Sequence, residues 1–353
     1  MNNVKRLVIK LGTGVLTDAR KQLDSGQMRQ LVRQFAAQHE AGRELVLVTS
    51  GAVGAGMGAL RYEKRPTELA EQQACAAVGQ SRLMAIYERL FSDHGLNVAQ
   101  VLLSHDDLQD KERHRNARNT LAALLRHRVV PIINENDAVS TTELKFGDND
   151  RLSALVTALL PADLLVILTT VEGVIENYGK PAARVLSSVA RIDASLERMA
   201  GGTESATAVG GMRSKIQAAR IVMRSGIPMV IASGRKADVL QRILAGEPEG
   251  TLFEPNPGRL RGRKRWIAFF HHPKGALVID DGATEAVTAR GKSLLPPGIR
   301  ACEGHFEPGD VVSIRNLRGE EVARGIARFG SGQIQAWAAP RSEVVHRDDL
   351  VVL

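Results

Sequence analysis

The chain has 353 residues, is 44% hydrophobic but only 4% aromatic, and carries a formal net charge of +8. That length admits two domains or three. No apolar run approaches the ~20 residues of a membrane-spanning helix, and the strand-like start at Val4 predicts no signal peptide, so a cytoplasmic protein is expected. Cys75 and Cys302 offer neither a disulfide framework nor metal-ligand spacing.

In chain order, residues 6–10, 44–49, 97–103, 129–133, 164–169 and 229–232 read as strands, and residues 25–41, 68–94, 116–128, 151–160 and 215–225 as helices. Their alternation predicts an α/β fold, a mainly parallel sheet covered by helices on both faces. Residues 176–210 read as loop-rich. Near Gly250 the texture changes: Pro255 and Pro257 break regular structure, and Arg259, Arg261, Arg263, Lys264 and Arg265 form a dense basic run. Short strand-like pieces follow from Gly275, suggesting a small β-barrel-like domain. The expected division is residues 1–254, a basic linker over 255–274, and a second domain over 275–353. Residues 255–353 hold 15 Lys and Arg against 11 Asp and Glu; without interleaved aromatic residues the basic run reads as a solvated linker.

Between Pro131 and Arg151 two polar clusters stand out, Asn134-Glu135-Asn136-Asp137 after a buried strand and Asp148-Asn149-Asp150 at a helix start. One cluster alone would be a polar loop or an Asp/Asn helix cap. Two so close together, at a strand end and a helix start, mark a small-molecule site of an α/β fold. Three glycine turns support this reading: residues 10–14, 49–56 and 208–215. Glycine lets backbone N–H groups approach an anion, and Lys10 and Lys215 add full charge. Gly54 to Ala59 fits the dinucleotide pattern G-x-G-x-x-G/A, but Ser50 to Val53 separate it from the strand. No P-loop, zinc motif or nucleophile–histidine pair is evident.

These residues resemble the amino-acid kinase family, and within it the branch that phosphorylates the side-chain carboxylate of L-glutamate to L-glutamyl 5-phosphate, opening proline biosynthesis. The resemblance rests on Val8 to Thr13, Val48 to Ala52, Pro131 to Asp137, Gly147 to Asp150, and Gly210-Gly211-Met212 with Lys215. The tail, with Ile279 to Ala283 and Gly291 to Pro296, resembles a PUA domain. The resemblance implies ATP as donor, with Mg2+ carried on its phosphates and no protein metal site. It implies Lys10, Lys215 and Asp150 as the catalytic set, the carboxylate orienting both lysines. Ser50, Gly51, Asn134, Asp137 and Asn149 would hold glutamate, Asp137 meeting its α-ammonium. Lys10, Gly12, Thr169, Thr170, Val209, Gly210, Gly211, Met212, Arg213, Ser214 and Lys215 would line the nucleotide. A homo-oligomer inhibited by proline is implied, with a possible contact to glutamate-5-semialdehyde dehydrogenase.

The chain departs from the family on the nucleoside side. The usual Thr-Asp-x-x-Gly-Leu-Tyr is Thr169-Thr170-Val171-Glu172-Gly173-Val174-Ile175 here, and Ala208-Val209 replace Gly-Thr. Two other readings stay open: a kinase acting on another carboxylate or phosphate, and an RNA-binding protein acting through the PUA-like tail and the basic run.

Overall fold

Aliphatic runs without polar alternation have to be covered on both faces, and the strands of the first unit obey that rule. β1 (Arg6–Leu11) turns Leu7, Ile9 and Leu11 to one face and Val8 and Lys10 to the other, and all five are buried. A short helical turn, α1 (Thr13–Leu16), and α2 (Ser25–Glu40) lead to β2 (Glu44–Val48), parallel to β1 with Val48 opposite Lys10. Next come α3 (Ala52–Ala59), α4 (Leu69–Ser92), β3 (Val98–Leu103), α5 (His105–Gln109), α6 (Lys111–Arg126) and β4 (Val130–Glu135). α7 (Asp150–Leu159) carries the chain to β5 (Leu164–Thr169), which pairs with the other flank of β1. The first unit ends with β6 (Ile175–Glu176), β7 (Arg184–Val185), β8 (Ser188–Val189), α8 (Ala194–Gly201), α9 (Met212–Arg224), β9 (Met229–Ser233), α10 (Val239–Ala245) and β10 (Thr251–Phe253).

This computed structural model describes residues 3–18, 22–139, 149–179, 181–201, 211–257, 260, 262–270, 273–335 and 342–353. The main sheet has eight strands in the order β3-β4-β2-β1-β5-β9-β10-β8, with only the β9–β10 pair antiparallel. On one face α2, α4 and α10 bury Met28, Leu31, Phe35, Leu83, Leu90 and Leu240 against Leu7, Ile9 and Leu11. α7 packs against β1, β5 and α9, and nine of its ten residues are buried, so it forms an inner layer. Pro131 is tolerated in an interior strand because β2 joins β4 only from Ile132 onward, where the missing N–H is no longer needed.

The expected strands all form, within two residues of their predicted ends. α2 begins where expected and α4 one residue later, while α6, α7 and α9 begin earlier than their apolar pattern shows. α6 starts at Lys111 because Asp110 accepts hydrogen bonds from the N–H groups of Glu112 and Arg113. The stretch 49–56 is corrected from a glycine turn: only Gly51, with φ +100°, turns, and Gly54, Gly56 and Gly58 lie inside α3. Their smallness serves helix contact. A Cβ on Gly56 would fall 1.7 Å from the Cys75 carbonyl oxygen, and one on Gly79 equally close to that of Ala52. α3 and α4 therefore meet backbone to backbone. The loop-rich region contains β7, β8 and α8, with β6 at its start, and α10 and β10 lie where the sequence pattern shows no element.

Contacts divide the chain into Met1–Arg259 and Leu260–Leu353. The second unit comprises α11 (Gly262–Phe269), β11 (Gly275–Ile279), α12 (Asp281–Thr288), β12 (Ile299–Gly304), β13 (Val311–Arg315), β14 (Glu321–Ile326), α13 (Ser331–Gln335) and β15 (Leu350–Val352). Its five strands follow the order β12-β11-β13-β14-β15 around a core of Leu277, Ile279, Ile299, Phe306, Val312 and Ile314. The expected linker over 255–274 needs correction: α11 buries Arg265, Ile267, Ala268 and Phe269, and Arg324 donates to the Ala268 carbonyl at 3.0 Å. The apolar residues that directly follow the basic run make this stretch, from Leu260 on, part of the second unit's fold.

Candidate active site

The parallel strands β1, β2, β4, β5 and β9 end in register, with Lys10 opposite both Val48 and Ile167, Val48 opposite Ile133, and Thr169 opposite Ser233. Their carboxyl ends share one edge, where a parallel sheet leaves backbone groups and helix starts for ligands. Four helices that begin at or beside this edge, α1, α3, α7 and α9, have no side-chain cap. α2, α5 and α6 are capped by Asp24, Ser104 and Asp110, whereas α4 and α10 are also uncapped. First-turn N–H groups have no intrahelical acceptor, so uncapped starts keep their positive ends for an anion.

Lys10, Asp150 and Lys215 come together from three elements. Lys10 leaves the α7 side of β1, Asp150 opens α7, and Lys215 lies in the first turn of α9. Lys10 Nζ lies 2.7 Å from one Asp150 oxygen and Lys215 Nζ 3.0 Å from the other. The Ser214 hydroxyl donates to Asp150 at 2.9 Å and reaches the Gly211 carbonyl at 2.8 Å. Asp150 is fully buried, and Lys10 and Lys215 are 3% and 5% exposed. Two cations and one carboxylate are thus held together in a low-dielectric setting. Desolvating such charges costs several kcal/mol, which an arriving anion would offset. Ser214, expected on the nucleotide, belongs to this cluster.

A chain of amides lies on the other side of β1. Asn149 Nδ2 donates to the Thr49 carbonyl at 2.5 Å and to Asn134 Oδ1 at 2.7 Å, with Ser50 Oγ at 3.5 Å. These bonds explain why Asn149 does not cap α7: its amide is drawn across to the β2 exit. Asn134 is 1% exposed. Its Oδ1 also accepts from the Glu135 N–H, and its Nδ2 donates to Gln80 Oε1 at 2.8 Å. Asn134, expected to hold substrate, has its buried amide engaged at both ends and supports Asn149 from behind. Thr49 is anchored by a 2.8 Å hydroxyl pair with Tyr87 on α4, where burial raises the phenol pKa.

Asp137, half-buried beyond β4, receives no hydrogen bond from the described residues. Burial pushes its carboxyl up to about 6, against the opposing pull of the Arg65 guanidinium. The Gly12 N–H donates to the Leu168 carbonyl at 3.0 Å, which corrects its expected role as an anion donor. Thr169 is half-buried and Thr170 exposed, and a Cβ on Gly14 would stand 2.8 Å from Thr170 Cγ2. Gly211 and Arg213 are exposed and Met212 half-buried at the start of α9. Val209 and Gly210, like Gly147 and Asp148, lie outside the described residues.

Several contributors carried no motif. Glu172, past the β5 exit, pairs with Lys236 at 3.5 Å, and Lys236 reaches Glu249 at 3.3 Å. Thr251 Oγ1 accepts from the Val174 N–H at 2.9 Å and donates to the Leu186 carbonyl at 2.6 Å, pinning the loop after β5. Gln80 could have been noticed as a polar residue on the apolar stripe of α4 formed by Ala76, Gly79, Leu83 and Tyr87.

A sequence profile of the amino acid kinase family matches residues 5–233, and a PUA domain profile matches residues 275–347. The chain belongs to the amino acid kinase family. Among similar amino acid kinases, the glutamate 5-kinase of Moorella thermoacetica is 46% identical over 100% of this chain and 97% of its own. That of Serratia marcescens is 46% identical over 100% of both. The fold is shared with carbamate kinase from Giardia lamblia bound to AMP-PNP, at a TM-score of 0.52 and 20% identity, over 72% of this chain and 100% of that one. It is likewise shared with UMP kinase from Bacillus anthracis, at 0.50 and 17%, over 71% and 96%.

Proposed function

We propose that this chain transfers the γ-phosphoryl group of ATP to the side-chain carboxylate of L-glutamate, giving L-glutamyl 5-phosphate for proline biosynthesis. The buried Lys10–Asp150–Lys215 cluster carries this reading, set between an amide-lined exit of β2 and β4 and the open exits of β5 and β9. A glutamate carboxylate, with a pKa of about 4.3, is already ionised at neutral pH, so the acceptor needs no general base. What the reaction needs is two anions held together and the charge on the moving phosphoryl group met.

Asp150 holds the two lysines at its two oxygens, and the lysines bring the positive charge that phosphoryl oxygens would meet. The uncapped start of α9, with Gly211 and Met212, accommodates the phosphates, and Thr169 and Thr170 border the nucleoside. Ser50, Gly51 and Asn149 hold the acceptor, with Asp137 taking its α-ammonium. Magnesium would neutralise the β- and γ-phosphates as part of the nucleotide. Its fit is with the phosphates rather than the protein: Asp150 is engaged by two lysines and a serine, and the described residues contain no cluster of metal-ligating side chains.

Hydroxylamine trapping tests the reading, because an acyl phosphate is captured as a hydroxamate. Hydroxamate formed with L-glutamate, and not with L-aspartate or N-acetylglutamate, is the expected result. Phosphorylation of another acceptor in preference would refute it.

A further inference from the structure

Gln80 ends a chain of amides whose polarity is set link by link. The Glu135 N–H donates to Asn134 Oδ1 at 2.9 Å and fixes the side on which that oxygen lies. Asn134 Nδ2 must then face α4, where Gln80 Oε1 accepts it at 2.8 Å. Asn134 Oδ1 also takes one hydrogen of the Asn149 amide, and the Thr49 carbonyl takes the other. Both inward donors of Asn149 are thus used. Its Oδ1 has no hydrogen-bond partner among the described residues. It is the face of the amide left for a ligand, and it is an acceptor.

Gln80 is 8% exposed, and its own Nε2 is buried with no acceptor among the described residues. An unmet buried donor is costly, and an apolar side chain at this point of the α4 stripe would avoid it. The retained carbonyl oxygen accounts for a glutamine here. Close contact of Gly79 with the Ala52 carbonyl keeps this turn of α4 at a fixed distance from the β2 exit.

We infer that Gln80 is a positioning residue that holds the Asn149 amide with its oxygen outward, so that the acceptor pocket selects a protonated α-amine. Without the Gln80 acceptor, Asn134 would keep a buried N–H unmet and could relieve it by rotating, which frees Asn149 to turn its NH2 outward. An outward NH2 opposes an ammonium but not a carboxylate. The discriminating pair of ligands is therefore L-glutamate and glutarate, which lacks only the α-amine. This choice rests on the phosphotransfer reading above.

The test measures binding of both ligands to the full chain by calorimetry, with KM and kcat from the hydroxamate assay alongside. The preference for L-glutamate over glutarate should fall about tenfold or more in Gln80→Leu, as one bond to a charged group is lost. Glutarate binding and the KM for ATP should hold. Gln80→Glu keeps an acceptor toward Asn134 and should keep most of the preference. Gln80→Met, similar in length, replaces the leucine variant if circular dichroism shows that one unfolded. A leucine or methionine variant with the wild-type ratio overturns the inference, as does a glutamate variant that loses the ratio equally. A wild-type protein without preference also overturns it. If no hydroxamate forms while the binding ratio still depends on Gln80, the phosphotransfer reading fails and the role of Gln80 stands. If hydroxamate forms while the ratio is indifferent to Gln80, phosphotransfer stands and the role of Gln80 fails.

Discussion

The two flanks of β1 are built differently. On the β2–β4 flank, Asn134 and Asn149 are almost fully buried and joined to Gln80, Thr49 and Glu135 by short hydrogen bonds. On the β5–β9 flank, Thr170 and Arg213 are exposed, and the Lys236–Glu172 pair lies in reach of solvent. Buried polar groups must satisfy one another, so each member constrains the next. Exposed groups can exchange partners with water at little cost. The first flank is thus tightly constrained, the second permissive. This is the flank where the chain departs from its family pattern. Between them, the Lys10–Asp150–Lys215 cluster serves both.

Lys10→Met and Lys215→Met should produce the largest effect, because the cluster is common to both flanks. Each should lower kcat by two decades or more, as for a transition-state contact of roughly 3 kcal/mol. Steady-state kinetics check this, and near-normal turnover in either variant would remove the cluster from catalysis.

Asp137→Asn confines the damage to one flank. The KM for glutamate should rise roughly tenfold or more, the loss of one bond to a charged group, while the KM for ATP stays put. In the wild type, kcat/KM for glutamate should decline as the pH falls below about 6, because the carboxyl raised to that value becomes protonated and no longer attracts an ammonium. The asparagine variant should lack that inflection. Stability moves the other way. The folded pKa lies above the unfolded one, so the wild type loses stability as pH rises between them, and the variant should melt higher at pH 7. A selective rise in the ATP constant would contradict the division of labour.

Thr170→Asp probes the permissive flank. An exposed new carboxylate there is worth at most about 1 kcal/mol, so the KM for ATP should fall only a few-fold. A change of a hundredfold would show that this flank is as exacting as the other.

Removing residues 260–353 should disturb both flanks least, since the site's described residues all belong to the first unit. The expected product is a folded chain with near-normal kcat. An expressed but inactive truncation would show that the first unit is not self-sufficient.

Much of this was legible in the sequence, for definite reasons. Runs such as Leu164 to Leu168 are apolar on both faces, which only a covered parallel strand requires, so the sheet could be read. Lys10, Asp150 and Lys215 were found through glycine turns and the acidic helix start. Nothing in the sequence reveals which hydrogen bonds a buried amide makes, so Asn134 read as a ligand group and Gln80 as one helix residue among many. The β10 strand is too short to show a period. α11 is obscured because Arg263, Lys264 and Arg265 come together ahead of Ile267, Ala268 and Phe269, so its eight residues show no apolar period.

The contact of Gly56 with Cys75 and of Gly79 with Ala52 limits how sequences of this fold can drift. At either position the smallest possible addition, a methyl group, would collide with a carbonyl oxygen rather than a pliable side chain. Neighbouring side chains cannot be reshaped to absorb it, so the helices would have to part. Parting them would carry Gln80 and Tyr87 away from Asn134 and Thr49 together. A methyl group added at either glycine would therefore reach the amide chain from outside it.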